Sequence, residues 1–509
     1  MTAFQRWFLI PGLLVLSTLL QPLAPPLGSH PGQNLGSHPG QNLHAQTTRR
    51  DALVRALDSA AAAHTDHEMV AGLSVAVVQG TDTLLMKGYG KADLEWDVPT
   101  PVSAEVSYEI GSMTKQFTAV AILQLAEEGR LDLDADITTY LPTYDTHGHE
   151  IPVRRLLDHT SGIKGYTELP FFGEIAVRKL PRDTLVALVA AEPLDFEPGT
   201  ALIYSNSAYF FLGLIIEEIT GMTYEEYVNE HLFGPAGMTD SYYCSETQIR
   251  EDRAHGYDAA PGGLMRKRYL DHTWPYAAGS LCSTVGDLVR WNQVLHQGQT
   301  PQGGTTSGPG EAGSEEGRLL LSPEGYQALI TPMPLKDGTP VRYAGGLGIM
   351  GEGLHRSIEH GGGINGYLSD GKYYPEAELM VVALQNSTGP QGPAALTSAL
   401  AELVLGPEPE LAATPYEGDM DELLGTYTGP GRGRPLTLEV TREEGELVFT
   451  VEGTPNSLRP VHLEGLTWGQ GNARLWFVRN NGEITQLRLD QGSGHFVLNK
   501  DPTRTTRQP

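Results

Sequence analysis

Ser112 and Lys115 stand three residues apart at the head of an apolar stretch, MTKQFTAVAILQLAEE. In a helix, residues at that spacing share a face. A serine at the helix N-terminus therefore lies beside its lysine and near free backbone N–H groups. Such an arrangement can hold an unprotonated amine against a hydroxyl and stabilise the negative charge that forms when the hydroxyl attacks a carbonyl. The spacing alone discriminates poorly. Ser112/Lys115, Ser161/Lys164 and Ser369/Lys372 all satisfy it, and short motifs recur by chance. Context separates them. Ser161 is followed by glycines and reads as loop, and Ser369 lies in LSDGKYYP and reads as a turn. Only Ser112 opens a long helix, expected over Ser112–Glu128 with Gly129 as its C-terminal cap. The alternative role for Ser112 is that of an N-cap alone.

A nucleophilic serine also needs a polar group that takes or relays its proton. Tyr-x-Asn occurs at Tyr204/Asn206 and Tyr227/Asn229. Tyr227 lies within a helical stretch, YEEYVNEHLF, and reads as packing. Tyr204 follows the Pro198–Gly199 turn and directly precedes a helix, so its phenol can project into a cleft. A lysine ammonium nearby would lower its pKa and suit it to a relay; the plainer reading is a buried core tyrosine. The third element is His360-Gly361-Gly362-Gly363. Small residues let a strand approach a substrate and present its N–H groups. The N–H groups of Ser112 and Gly363 would form an oxyanion hole. His360 would serve as a hydrogen-bonding or cationic group, or else as a structural histidine. Gly361, Gly363 and Gly366 also spell a dinucleotide-type pattern, but a turn and a strand follow where such a site needs a helix. The chain has neither a Gly-x-Ser-x-Gly elbow nor a His-Glu-x-x-His zinc motif. No metal or organic cofactor is implied, and His159 in LLDHTSG reads as structural.

These residues depend on a scaffold that the patterning outlines. Residues 48–65 suit a helix, and GLSVAVVQGTDTLLMKGYGKAD alternates like two strands joined by a turn at Gln79–Asp82. The helix behind Ser112 is apolar around most of its circumference and should be buried. Several helical stretches fill 130–270; in AYFFLGLIIEEITG, Tyr209, Leu212, Ile216 and Ile219 share a face. Strands return over 343–386, followed by a helix at Ala394–Val404. Residues 297–317 are low in complexity and read as a disordered insertion, and 406–415 as a linker. Beyond it, alternating segments and the hairpin signal Asn481-Gly482 predict a small all-β domain over 416–509.

With 509 residues, 40% hydrophobic and 19% charged, the chain is globular and long enough for two or three domains. A net charge of -27 excludes nucleic acid as a partner and discourages docking on anionic lipid. Residues 1–45 read as a leader: Arg6, an apolar run from Trp7 to Leu20 too short to span a bilayer, then a tandem LGSHPGQN spacer. The expected location is secreted or periplasmic, with only transient membrane contact. Export permits a disulfide between Cys244 and Cys282, but sequence does not place them within reach, and two buried thiols are expected.

YEIGSMTKQFTA, LLDHTSGI, FEPGTALIYSNSAYFFLG, AAGSLCSTVGDLVRW and HGGGINGY, in that order, resemble the class C beta-lactamase and DD-peptidase family over about residues 50–405. The resemblance implies an α/β (α+β) domain at 46–405 of the beta-lactamase/transpeptidase-like type. Such a domain has a mixed antiparallel sheet flanked by helices plus a helical lobe, with the active site between them. The segment opening with LLGTYTG resembles the lipocalin-like barrel domain that follows many such hydrolases. By this resemblance Ser112 is the acylated nucleophile, Lys115 its partner and Tyr204 the base. Asn206 positions substrate, and His360 and Gly362 occupy the third motif. Class C beta-lactamases carry a lysine where His360 stands, and a histidine is similar to the DD-peptidase, D-aminopeptidase and esterase branches. The implied function is a secreted serine hydrolase acting on an ester, a D-amino-acid peptide or a related amide, small or cell-wall derived. The alternatives are a class C-like beta-lactamase and a non-catalytic peptidoglycan-binding or regulatory protein on the same scaffold. The intact set of Ser112, Lys115, Tyr204 and His360 argues against the last.

Overall fold

The computed structural model describes residues 39–298, 320–455 and 457–503. Residues 1–38 of the expected leader and spacer, and 299–317 of the expected insertion, lie outside the described residues. The chain divides into two units, residues 1–50 and 51–509. The first helix, Pro39–Thr65, begins earlier than the sequence pattern predicts.

An eight-stranded sheet forms the centre, with every adjacent pair antiparallel. Its order is Tyr343–Ala344, Leu347–Met350, Ser357–Ile364, Tyr367–Tyr374, Leu379–Gln385, Gly72–Gln79, Asp82–Asp93, Val98–Pro99. The early strand Gly72–Gln79 pairs with the late strand Leu379–Gln385, in register from Leu73↔Gln385 to Gln79↔Leu379. Everything between them in sequence is thus an excursion that returns to the sheet. Alternation along Gly72–Gln79 sends Val75 and Val77 to a core shared with Leu57, Ala61, Leu396 and Leu400 of the flanking helices. Ala76 and Val78 go to the opposite core, with Phe117 and Trp291. Both faces are covered, so the strand is buried from Gly72 to Val78 and runs Val-Ala-Val-Val rather than alternating with exposed polar residues. The expected α/β layering with a helical lobe is what the chain adopts.

The helix behind the Ser112 turn, Thr114–Glu127, is buried from Thr114 to Leu123 and again at Leu125. Phe117 lies against Trp291, with ring centroids 4.1 Å apart, and edge-on to Phe233 at 5.6 Å. Two expectations are corrected. Ser369 is not in a turn but in the strand Tyr367–Tyr374, where its hydroxyl donates to the Ile110 carbonyl at 2.8 Å. Residues three apart on a strand face opposite ways, so Lys372 cannot serve it and pairs with Glu359 at 3.0 Å. Cys244 and Cys282 are not free thiols but a disulfide, Cα–Cα 5.3 Å. The reason is topological: Tyr242–Tyr243 pairs with Leu281–Ser283, setting Tyr242 opposite Cys282, a register that sequence spacing does not reveal. With the two cysteines 38 positions apart in sequence, loop-closure entropy predicts that Cys244→Ser/Cys282→Ser loses about 4 kcal/mol at most. A fall in the urea midpoint of the full chain measures it.

Beyond residue 424, nine strands from Gly425–Gly429 to Gly494–Lys500 form a second, antiparallel sheet. Its two edge strands, Ser457–Leu458 and Val461–Glu464, are separated in the chain only by Arg459 and Pro460. The sheet must therefore curl until its edges approach, and it wraps a core of Tyr427, Phe449, Trp468 and Phe477. Asn481 and Gly482, with φ of 50° and 88°, make the expected hairpin turn between Ala473–Asn480 and Glu483–Asp490. A tenth strand comes from the first domain. Leu202–Ile203 adds to Gly494–Lys500 through Ile203↔Gly494 and Leu202↔His495, and Tyr204 is the next residue. Arg342 holds the same β domain through two hydrogen bonds to Asp490, at 3.0 and 2.7 Å.

Candidate active site

Ser112 sits in a single helical turn, Gly111–Met113, that leads into Thr114–Glu127. Gly111 has φ +52°, and a Cβ there would lie 2.9 Å from the Gly363 nitrogen. A Cβ on Gly362 would lie 2.0 Å from the Ile110 carbonyl oxygen. Only glycine at both positions lets the serine turn press against the strand Ser357–Ile364. The backbone of Gly363 consequently lies beside the residue preceding Ser112, as a shared oxyanion site requires.

Lys115 is fully buried, with Nζ 3.2 Å from Ser112 Oγ, 2.8 Å from Asn206 Oδ1 and 2.7 Å from the Ala278 carbonyl oxygen. Burial pushes its pKa well below the ordinary lysine value, and the Arg432 charge pushes it down further, against an opposing effect from Glu168. A neutral amine has two N–H donors and one lone pair. Asn206 and Ala278 accept the two hydrogens, which leaves the lone pair facing the Ser112 hydroxyl. Lys115 is therefore set up to accept a proton from Ser112.

Tyr204 departs from its expected state. Burial raises its pKa above the ordinary tyrosine value, and the opposing effects of the Ser112 hydroxyl and Arg432 do not reverse this. Desolvation thus favours the neutral phenol, and Lys115, whose own pKa burial lowers, lies with its Nζ 4.7 Å from the Tyr204 ring centroid. The general base is thus better placed on Lys115, with Tyr204 as a proton donor. Asn206 is partly exposed; its Oδ1 accepts from Lys115 and its Nδ2 donates to Thr167 Oγ1 at 3.3 Å, so it also holds the lysine in place. His360 is not cationic. Burial, then Lys115, hold its pKa at about 3, despite the Gly361 carbonyl.

Of the rival pairs, Ser161/Lys164 is broken up by ion pairs from Lys164 to Glu192 at 2.9 Å and Asp195 at 3.7 Å. Tyr227 packs in the core, its hydroxyl donating to Gln124 Oε1 at 3.3 Å. Near Ser112, Glu109, Glu246 and His272 gather in a metal-like cluster. Lys267 lies 2.6 Å from Glu246 and, with Arg253, against Glu109, so the carboxylates are already neutralised.

Sequence reasoning missed Arg432. It lies in the turn GPGRGRP of the β domain, yet its guanidinium is 5.2 Å from the Tyr204 ring centroid and its Nε is 2.6 Å from Glu168 Oε1. A Cβ on the following Gly433 would lie 2.4 Å from Glu168 Cβ, so the turn is wedged into the cleft wall. Two arginines among glycines were the only available signal, and nothing local connects them to a site in another domain. Removing this charge removes a like-charge penalty on protonated Lys115. Arg432→Gln should therefore raise the Lys115 pKa and move the acid limb of a kcat/KM–pH profile to higher pH.

A beta-lactamase family model matches residues 57–405. A protein of Bacillus subtilis (strain 168), PbpX, described as a penicillin-binding protein, is 31% identical over 223 residues, 44% of this chain and 54% of that one. The chain thus spans about half the length of the curated relatives it matches. The structure of SurE with D-Leu superposes with a TM-score of 0.62 at 24% identity, covering 89% of this chain and 100% of that chain. The D-amino acid amidase of Ochrobactrum anthropi SV3 complexed with D-phenylalanine gives 0.58 at 23% identity, covering 69% and 99%. Fold, site geometry and the extent of the family match agree: this chain belongs to the beta-lactamase family of serine hydrolases.

Proposed function

We propose that the protein hydrolyses amides or esters of D-amino acids, short peptides included, through an acyl-enzyme on Ser112. The observation that carries this is the 3.2 Å approach of Lys115 Nζ to Ser112 Oγ, with the other two amine neighbours both acceptors. Lys115 takes the Ser112 proton as Oγ bonds to the substrate carbonyl carbon. The N–H groups of Ser112 and Gly363 stabilise the oxyanion. Collapse breaks the bond to the leaving group, which takes a proton from Tyr204, itself restored from Lys115. Water then repeats the sequence on the acyl-enzyme, and the acid departs.

The D-amino-acid preference is supported by the ligands named for SurE and the Ochrobactrum amidase. Export is supported by the leader-like sequence of residues 1–45 and by the Cys244–Cys282 disulfide. Among the described residues no helix is long and apolar enough to cross a membrane.

A panel of D- and L-aminoacyl amides, D-terminal dipeptides, short-chain esters and a chromogenic cephalosporin, run on the full chain, tests the reading. D-over-L turnover supports it. Faster turnover of the cephalosporin than of any amide would replace it with the beta-lactamase reading. Tyr204→Phe should lower kcat by roughly 10²–10⁴, the range for losing a positioned acid–base group. The loss should be largest for amides, whose leaving groups most need a proton.

A further inference from the structure

His159, read from sequence as merely structural, is fully buried and takes part in a chain of hydrogen bonds whose protons can all be assigned. The Ser205 backbone N–H donates to His159 Nδ1 at 3.2 Å. That nitrogen therefore carries a lone pair, and in a neutral ring the proton is on Nε2. His159 Nε2–H faces the Tyr343 hydroxyl at 3.2 Å and donates to it. The Tyr343 hydrogen is then directed to His360 Nε2 at 3.0 Å. His360 keeps its own proton on Nδ1, which donates to the Gly361 carbonyl. Burial keeps both rings neutral, which is the condition the assignment needs.

The two ends of the chain are informative. Ser205 lies between Tyr204 and Asn206, and its hydroxyl caps the helix Asn206–Thr220. The His159 ring lies against that of Tyr204, with centroids 4.2 Å apart. His360 opens the glycine run that presses on the Ser112 turn. The chain thus joins the two walls of the cleft behind the reacting groups. The β domain holds it at two points, beside the Ser205 end through Leu202–Ile203 and beside its interior member Tyr343 through Arg342.

We infer that His159 and Tyr343 are positioning residues that form a one-directional hydrogen-bond chain, Ser205 to His159 to Tyr343 to His360, fixing Tyr204 and His360 across the cleft. Neither residue touches substrate. The consequence for His360 is specific: its Nε2 is held as an acceptor by Tyr343, so it offers substrate no cation. The inference deepens the proposed hydrolase reading and rests on it for its kinetic part only.

The first test is independent of turnover. In the full chain labelled with 15N-histidine, long-range proton–nitrogen spectra report tautomers, with His159→Asn and His360→Gln assigning the two rings by subtraction. Opposite tautomers are expected, His159 protonated on Nε2 and His360 on Nδ1, both untitrated between about pH 5.5 and 8. The same tautomer in both rings, or titration of either in that window, overturns the chain. The second test is kinetic. Tyr343→Phe should lower kcat about 10–100-fold with little change in KM, the scale for a small misplacement of reacting groups. His159→Asn keeps an acceptor for Ser205 N–H but cannot reach Tyr343. Asparagine also tolerates the left-handed backbone at this position, φ +59°, so it should fold and show the same loss. The double variant should be no worse than either single one, whereas separate structural roles would add. Additive losses, or unchanged kcat in Tyr343→Phe with the tautomers as assigned, would show that the chain positions nothing. If instead Ser112→Ala retains full activity while the tautomers hold, the Ser112 acyl-enzyme reading fails and the chain stands.

Discussion

Ser112→Ala should abolish hydrolysis of every substrate in the panel, with kcat reduced roughly 10⁴-fold or more, the scale seen when a nucleophile acting within a catalytic unit is removed. Labelling by a serine-reactive fluorophosphonate should disappear with it. The fold should persist, because the competing role for Ser112 is not realised. The residue preceding Thr114–Glu127 is Met113, and no side-chain cap is made at either helical turn. Loss of a cap would cost about 1 kcal/mol, whereas loss of Ser112 Oγ should leave the unfolding midpoint within experimental error. The two measurements together separate the remaining alternatives. A non-catalytic binding protein on this scaffold predicts no labelling of the wild-type chain at all. Labelling that survives Ser112→Ala would move the nucleophile elsewhere and falsify the site.

Much of this site was legible because glycine and apolar patterning are strong local signals. Ser112 was distinguishable from Ser161 and Ser369 by the helix behind it, and the structure buries that helix on nearly every side. Gly362 and Gly363 were legible because a strand of small residues has few other uses, and the serine turn indeed presses on them. What failed is instructive in physical terms. Ser369 was misread as a turn because Ser-Asp-Gly favours one locally, while pairing on both sides with Ser357–Ile364 and Leu379–Gln385 overrides that preference. The lowered pKa expected for Tyr204 and the choice between a cationic and a neutral His360 depend on desolvation, which spacing does not encode. Arg432 and Tyr343 were invisible for a third reason. Each reaches the site through contacts between segments far apart in sequence, as do the pairing of Leu202–Ile203 with Gly494–Lys500 and the Arg342–Asp490 contact.

The second large effect concerns Lys115 and has a sign that can be worked out in advance. The form that accepts the Ser112 proton is the free amine, so kcat/KM should rise with pH through the folded-state pKa of Lys115 and level off above it. Burial, reinforced by Arg432, lowers that pKa well below the ordinary lysine value. The plateau should therefore begin at a lower pH than a solvated lysine would allow, and activity should be lost as pH falls through the lowered value. Lys115→Met keeps an unbranched apolar stem in the same buried slot but has no lone pair to accept the proton. Its kcat/KM should fall by about 10³-fold, equivalent to about 4 kcal/mol of transition-state stabilisation. The acid limb assigned to the amine should vanish from the residual rate. Lys115→Arg should be at least as inactive, since a guanidinium stays charged and has no lone pair to offer Ser112. A Lys115→Met profile that keeps the wild-type acid limb would place the base on another group. Tyr204, with its raised pKa and its phenol facing Ser112, would then return as the candidate, and its phenylalanine variant would be the one expected to lose that limb.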